Sequence, residues 1–231
     1  MNRSIVTATL FAIVGFALLL SLGVWQLERK TWKENLIAML DTRIAAPPRA
    51  LPQSPNQNAD EFSRVRLHGA FIPGESALVF TSGSALRPDI SSPGYWVLSP
   101  LRTDDGRIVI VNRGYVAGKD GISPPPSGDV DLTGALRWPD ENGMFTPAND
   151  PQHNLWYSRD PISIAATKGW GKVAPFFVEQ ETPQLANAPR AGPLVVHLRD
   201  NHMQYAITWF GLAGGLAGVY LSWLRGRLRR A

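Results

Sequence analysis

Two uncharged stretches bracket this chain and constrain it more than anything between them. Residues 4–27 read SIVTATLFAIVGFALLLSLGVWQL and residues 203–224 read MQYAITWFGLAGGLAGVYLSWL. A helix of about 20 apolar residues crosses the hydrocarbon core of a bilayer. In lipid every backbone N–H and C=O must be paired within the segment, which a helix does. A secretory signal peptide fits the first stretch poorly: it is too long and no small-x-small cleavage site follows it. The expectation is two membrane helices with a domain between them.

Charge gives the orientation. All 19 acidic residues lie between Glu28 and Asp200, with 18 of the 23 basic ones, so the central region is nearly neutral. The positive excess sits at the ends, on Arg3 and on the run RGRLRR from Arg225 to Arg230. Flanking Lys and Arg stay on the cytoplasmic side, so both termini are expected there and the central domain is expected to be exported. Arg29, Lys30 and Lys33 vote the other way, but two spans force both ends to one side and the C-terminal cluster is stronger. A nucleic-acid binder would carry its basic stripe on the folded part; no nucleic-acid partner is expected. The chain has no cysteine, which removes disulfides, thiolate metal sites, iron–sulfur clusters and cysteine nucleophiles.

The sequence therefore divides into a transmembrane helix at 4–27, a stalk helix at 28–46, a Pro-rich loop at 47–61, an exported β-rich domain at 62–200, a second transmembrane helix at 203–224 and a basic cytoplasmic tail at 225–231. The stalk follows from Trp32, Leu36, Met39 and Leu40 at helical spacing. Gly211 with Gly215, and Gly214 with Gly218, are four apart, a spacing that lets membrane helices approach closely; Gly15 and Gly23 are expected to face them. In the central region RVRLHGAF alternates, SALVFT is a short apolar run, and YWVLSPLRTDDGRIVIVNRGYV reads as a hairpin turning at Asp105-Gly106. VDLTGALRW, PFFVEQ and GPLVVHLR add strands. DPISIAATKG has a helix grammar: Asp160 as N-cap, Pro161 in the first turn, Gly169 as stop. The fold class is a membrane protein with two transmembrane helices flanking a mainly antiparallel β domain of α+β, open-barrel-like type.

Catalytic motifs are missing: there is no G-x-S-x-G, H-E-x-x-H or P-loop. None of His68, His153, His197 and His202 lies within four residues of another, so no local metal-ligand pair exists. The acids of TDDG suit a turn better than a metal. Arg113, at the end of the apolar strand RIVIV, suits either a carboxylate partner or, preferably, a loop of its own domain. No enzyme is expected.

Several stretches in order, LGVWQLERKTWK, RVRLHGAF, GYWVLSPLRTDDGRIVIVNRGYV, LTGALRW and NHMQYAITWFGLA, together resemble the Surfeit-locus-one (Surf-one) proteins. The similarity covers about residues 22–222. It implies an assembly factor for the haem–copper oxidase, cytochrome c oxidase. Bacterial members resemble haem a carriers that receive the cofactor from haem a synthase and pass it to oxidase subunit one. The family histidine falls on His202, the Gly-x-Trp-Gln motif on Gly23, Trp25 and Gln26, and the Asn-Arg-Gly motif on Asn112, Arg113 and Gly114. The segment between Asn142 and Gly192 matches only loosely. Mitochondrial members generally carry an Arg-rich presequence; here the span begins almost at once, so a bacterial inner (plasma) membrane is expected.

The resemblance puts a cofactor at the lip of the second span. An imidazole is an axial ligand of haem iron, and Tyr205, Ala206 and Trp209 follow His202 on one helix face. Trp25 and Gln26 lie at the same end of the first span, where Arg29 or Lys30 could meet propionates. Against this stands a plain aromatic belt: Trp, Tyr and His are ordinary at membrane–water boundaries. Met203 points about 100° from His202 and is no second ligand. The other expectation is a cofactor-free membrane scaffold holding subunit one and haem a synthase together. A sensor lacks an output domain, and a hydrolase lacks a nucleophile–base pair.

Overall fold

Helix α1 runs from Arg3 to Ala45, 43 residues with no proline, and stops before Pro47 and Pro48. Proline lacks the N–H a helix needs and pushes the residue before it out of the helical region. A computed structural model describes residues 3–74, 76–120, 122–140, 143–144, 146–195 and 201–229. The chain divides into two compact units, residues 1–39 with 198–231, and residues 40–197.

The first unit is a helix pair. Helix α1 and the last helix, α4 (His202–Leu228), are each long and apolar enough to cross a membrane, with mean hydropathy 2.5 and 1.3 over their apolar windows. They pack antiparallel. A Cβ on Gly23 would fall 2.5 Å from the Phe210 ring, and one on Gly15 would fall 3.2 Å from Leu216. The Thr9 and Tyr220 hydroxyls share a hydrogen bond of 2.6 Å, while Ala206 and Ala213 are buried at 1% exposure. The glycine stripe of the second span does something other than expected. A Cβ at Gly211, Gly214, Gly215 or Gly218 would meet nothing within 4 Å. The close approach uses the glycines of α1 against large side chains of α4, and the α4 glycines face outward.

The second unit is built on one eight-stranded sheet. In chain order the elements are β1 (Arg49–Ala50), α2 (Gln57–Asp60), β2 (Arg64–Phe71), β3 (Ala77–Thr81), β4 (Gly94–Thr103), β5 (Ile108–Val116), β6 (Asp129–Arg137), a 3₁₀ turn at Pro151–His153, β7 (Leu155–Trp156), α3 (Pro161–Lys168) and β8 (Val173–Thr182). Strand order is β1-β2-β6-β8-β5-β4-β3-β7, and β2 also pairs with β4. That extra pairing closes β2, β6, β8, β5 and β4 into a ring, with β3 and β7 extending past β4. Most pairs are antiparallel; β5–β8, β3–β7 and β1–β2 are parallel.

Strands β5 and β8 are buried on both faces, hence the unbroken runs IVIV and FFV. Val109, Val111, Phe176 and Val178 join Val65, Leu67, Leu101 and Leu136 in one core. Ile110 and Phe177 point the other way, into a second core with Trp96, Trp156 and Ile164 of α3. Helix α3 has the expected caps: Asp160 accepts from the Ile162 N–H at 3.0 Å, and Gly169 ends it at φ 69°.

Three expectations change. The hairpin turn is a three-residue loop, Asp104 to Gly106: the Gly106 N–H bonds Thr103 O at 2.8 Å and Gly106 takes φ 80°. The segment GPLVVHLR forms no strand over its described residues: Pro193 has no N–H for a ladder, and Val195 bonds instead to Leu86 O. Its remaining residues, His197 among them, lie outside the described ones. The Pro-rich stretch 47–61 also holds structure, because Arg49 and Ala50 pair with β2 and Asn56 caps the short α2.

Candidate functional site

The residues singled out in the two spans meet in the helix pair. Gln26 is 8% exposed on α1 and faces the first residue of α4. His202 Nδ1 and Gln26 Oε1 lie 2.7 Å apart. A carboxamide oxygen only accepts, so the imidazole donates from Nδ1. In a neutral ring the lone pair then resides on Nε2. Glycine at 23, one turn before Gln26, lets Phe210 seat against the α1 backbone, which holds the two helices where the hydrogen bond needs them.

On the helical wheel Trp209 lies within roughly 20° of His202, two turns deeper. Its indole Nε1 is buried without a hydrogen-bond partner. Trp25 and Tyr205 turn outward, at 53% and 55% exposure, as side chains facing lipid or a flat ligand would. The Arg29 guanidinium lies 4.2 Å from the Trp32 ring centroid, one turn along the stalk. So the structure pairs His202 with Gln26 and seats Gly23 against Phe210, and it sets Trp25, Tyr205 and Arg29 on exposed surface. Deeper between the helices, Ala12, Phe16, Leu216, Ala217 and Tyr220 line an apolar groove.

In the sheet unit the Asn-Arg-Gly motif is a latch. Asn112, 2% exposed, accepts from the Gly114 N–H at 3.1 Å. Arg113, 4% exposed, donates to the carbonyls of Ser123 and Pro124, each at 3.0 Å. Burial pulls its guanidinium below the ordinary arginine value. Gly114 takes φ 128°, and a Cβ there would sit 2.4 Å from the Arg190 carbonyl carbon. The next residue, Tyr115, exchanges both backbone hydrogen bonds with Arg190, at 3.1 and 2.8 Å. Arg113 thus anchors its own domain's loop.

The other two described histidines, His68 and His153, are surface groups. His68 Nδ1 lies 2.9 Å from Asp104, whose hydrogen bond and charge raise its pKa. His153 contacts Asp150 at 2.7 Å. Among the described residues no cluster of three or more His, Asp and Glu side chains could hold a metal. Asp105 caps its turn, and its hydrogen bonds from Arg107 and Thr103 keep its carboxyl far below the usual range.

Sequence reasoning passed over one cluster. Arg159 bonds Glu179 at 2.7 Å and Asp140 at 2.5 Å, and Arg137 bonds Asp140 at 3.0 Å. Burial pushes the Asp140 pKa up, but attraction to Arg159 and Arg137 outweighs it and holds the carboxyl low. The visible signals were a charge inside each of two apolar strands, Glu179 in FFVEQ and Arg137 in GALRW. They mark the place where α3's lead-in is tied to the sheet.

With the geometry in hand, comparison with known proteins settles the kinship. A model of the SURF1 family matches residues 13–214, most of the chain. The chain belongs to the SURF1 family. It is 33% identical over 227 residues to the Surfeit locus protein 1 of Rattus norvegicus, covering 90% of this chain and 72% of the rat protein. Against the Homo sapiens Surfeit locus protein 1 the identity is 31% over 225 residues, 89% of this chain and 74% of the human protein. A SURF1-like protein of Rickettsia bellii is 26% identical over 218 residues, 91% of this chain and 88% of that protein. The matched region takes in α1 from residue 13 on, α4 up to residue 214 and the whole sheet unit, so the His202–Gln26 contact and the Asn112–Gly114 latch both lie inside it.

Proposed function

We propose that this SURF1-family chain is a membrane-anchored assembly factor for a haem–copper cytochrome c oxidase, which binds haem a and delivers it to oxidase subunit one. The observation that carries the reading is the 2.7 Å hydrogen bond from His202, the first residue of α4, to Gln26, at the end of the uncharged run of α1. In this reading the imidazole, oriented by that bond, lies at the membrane boundary, a depth that would suit a flat apolar macrocycle with charged propionates.

The donor set fits a haem. Histidine nitrogen is a standard axial ligand of haem iron, and His202 would supply it. Trp25 and Tyr205, exposed beside the seam, offer aromatic surface, and Arg29 offers a charge for a propionate. No cysteine or acidic cluster competes for the metal among the described residues. The chain would turn over no substrate of its own: it holds a cargo received from haem a synthase and yields it. In this reading the chain sits in the inner (plasma) membrane of a bacterium, in contact with lipid, with Arg225 and its neighbours on the cytoplasmic side and the sheet unit in the periplasm; the two helices of membrane-spanning length support it.

A second reading rests on the same contact. A Gln–His hydrogen bond between two spans is also a clamp of the kind that holds membrane helices together. In that case the chain is a cofactor-free scaffold for subunit one and haem a synthase. The deciding experiment is an absorption spectrum of detergent-purified protein from cells that also make haem a synthase, with His202→Ala purified alongside. The carrier reading expects a haem a spectrum in the wild type that is lost or strongly altered in His202→Ala. Normal yield and fold with no haem in either protein would give the scaffold reading the field.

A further inference from the structure

We propose that Gln26 is the positioning residue for His202: its carboxamide oxygen fixes the imidazole tautomer and orientation and so aims Nε2 at an incoming haem iron. This rests on the haem-carrier reading above and assigns its second, non-ligating partner. Three observations carry it. With Gln26 Oε1 as the acceptor, the 2.7 Å contact is a hydrogen bond donated by His202 Nδ1. Gln26 is 8% exposed, so the bond is shielded from competing donors. And the Gln26 backbone is held one turn away, where Phe210 packs on Gly23 closely enough to exclude a Cβ.

The choice of a carboxamide has a chemical consequence. Metal-bound histidines commonly donate their second N–H to a carboxylate or carbonyl, which sets the tautomer and raises the ligand's basicity. A carboxylate does this strongly and favours ferric iron. A neutral amide oxygen orients the ring equally well while adding less electron density. That suits a protein that must let its cargo go: the imidazole is aimed without being made a tight ligand.

The test compares Gln26→Leu, which keeps bulk without an acceptor, Gln26→Glu, which keeps an acceptor of greater strength, and His202→Ala. All are purified as full chains from haem a-producing cells. Haem per protein, the reduced absorption bands and the midpoint potential are recorded. Helix pairing is read separately by cross-linking cysteines introduced as Gly15→Cys and Leu216→Cys, which the absence of native cysteine permits. The expected result is roughly 10–100-fold weaker haem retention in Gln26→Leu, with cross-linking as in the wild type. Gln26→Glu should keep its haem at a lower midpoint potential. Gln26→Leu with wild-type retention and spectrum, while His202→Ala loses haem, would overturn the role of Gln26 and leave the carrier reading standing. Loss of haem and of cross-linking together in Gln26→Leu, unrestored by Gln26→Glu, would show a mere clamp. A wild type without haem would overturn both.

Discussion

Replacing Gly114 by alanine tests whether the Asn-Arg-Gly motif is a structural latch. Two costs follow from the geometry. Gly114 takes φ 128°, a region that costs a side-chain-bearing residue about 1–3 kcal/mol. The added Cβ would also lie 2.4 Å from the Arg190 carbonyl carbon and 2.5 Å from the Ala191 nitrogen. Non-bonded carbons rest at about 3.5–4 Å, so the 190–191 backbone must retreat by about an ångström. That breaks the paired Tyr115–Arg190 hydrogen bonds, worth about 1 kcal/mol each. Together the penalty is about 2–6 kcal/mol, against a typical total of about 5–15 kcal/mol. At the middle of that range, Tm falls by about 8–16 °C for a domain of this size. Fluorescence of the buried Trp96 and Trp156 reports the unfolding in full-length protein in detergent. Gly106→Ala is the control: φ is 80° there but a Cβ meets nothing within 4 Å, so strain alone applies, about 1–2 kcal/mol. A Gly114→Ala shift no larger than that of Gly106→Ala would refute the collision and with it the latch.

Arg113→Met removes two charged hydrogen bonds from the Ser123–Pro124 loop, so trypsin should cut after Lys119 several-fold faster; an unchanged cleavage rate counts against the anchor. Arg159→Ala leaves Glu179, 4% exposed, without its cation, and should cost about 3–5 kcal/mol in denaturant unfolding. The low Asp140 carboxyl works in the same direction: its contribution to stability is present above the ordinary aspartate value of about 3.9 and is lost as pH falls through its depressed one. His68 should titrate by NMR above its ordinary value of about 6.5, and Asp104→Asn should bring it down. Because the folded value is raised, whatever stability the contact adds is present below about pH 6.5 and is lost as pH rises through the folded value. In the helix pair, Gly214→Ala and Gly218→Ala should leave the 15–216 cross-link unchanged, whereas Gly23→Val should abolish it.

What could be read from the sequence was whatever local chemistry dictates. The spans followed from runs without charge, the α3 caps from Asp160, Pro161 and Gly169, and the β4–β5 hairpin from Asp105-Gly106. What could not be read depends on contacts far apart in the chain. The β2–β4 pairing that closes the ring joins residues about thirty positions apart, and nothing in RVRLHGAF or SPLRT announces it. The parallel β5–β8 seam looks the same in sequence as an antiparallel one, since both strands are simply apolar on both faces. The glycine stripe of α4 failed for a specific reason. Spacing shows which glycines share a face, but not which way that face turns, and here α1 supplied the small residues. The Gln26–His202 bond spans 176 positions; each residue drew attention alone, and only the packing of α1 on α4 shows that they are one feature.

The residues that first marked this chain therefore separate by what they touch. Asn112, Arg113 and Gly114 satisfy one another, a loop and a neighbouring backbone segment, so their chemistry is consumed within the sheet unit. Gly23 spends its missing side chain on Phe210. His202 differs, because a hydrogen bond through Nδ1 defines a ring nitrogen that can act as a ligand, and Gln26 is the group that defines it. A purely structural clamp needs no such asymmetry: any donor and acceptor, such as Thr9 and Tyr220 farther along the same helix pair, would do. The helix pair already has that second clamp at its other end. What Gln26 and His202 add to it is an oriented imidazole, and this is why the haem spectrum, rather than helix association, is the observable on which their role turns.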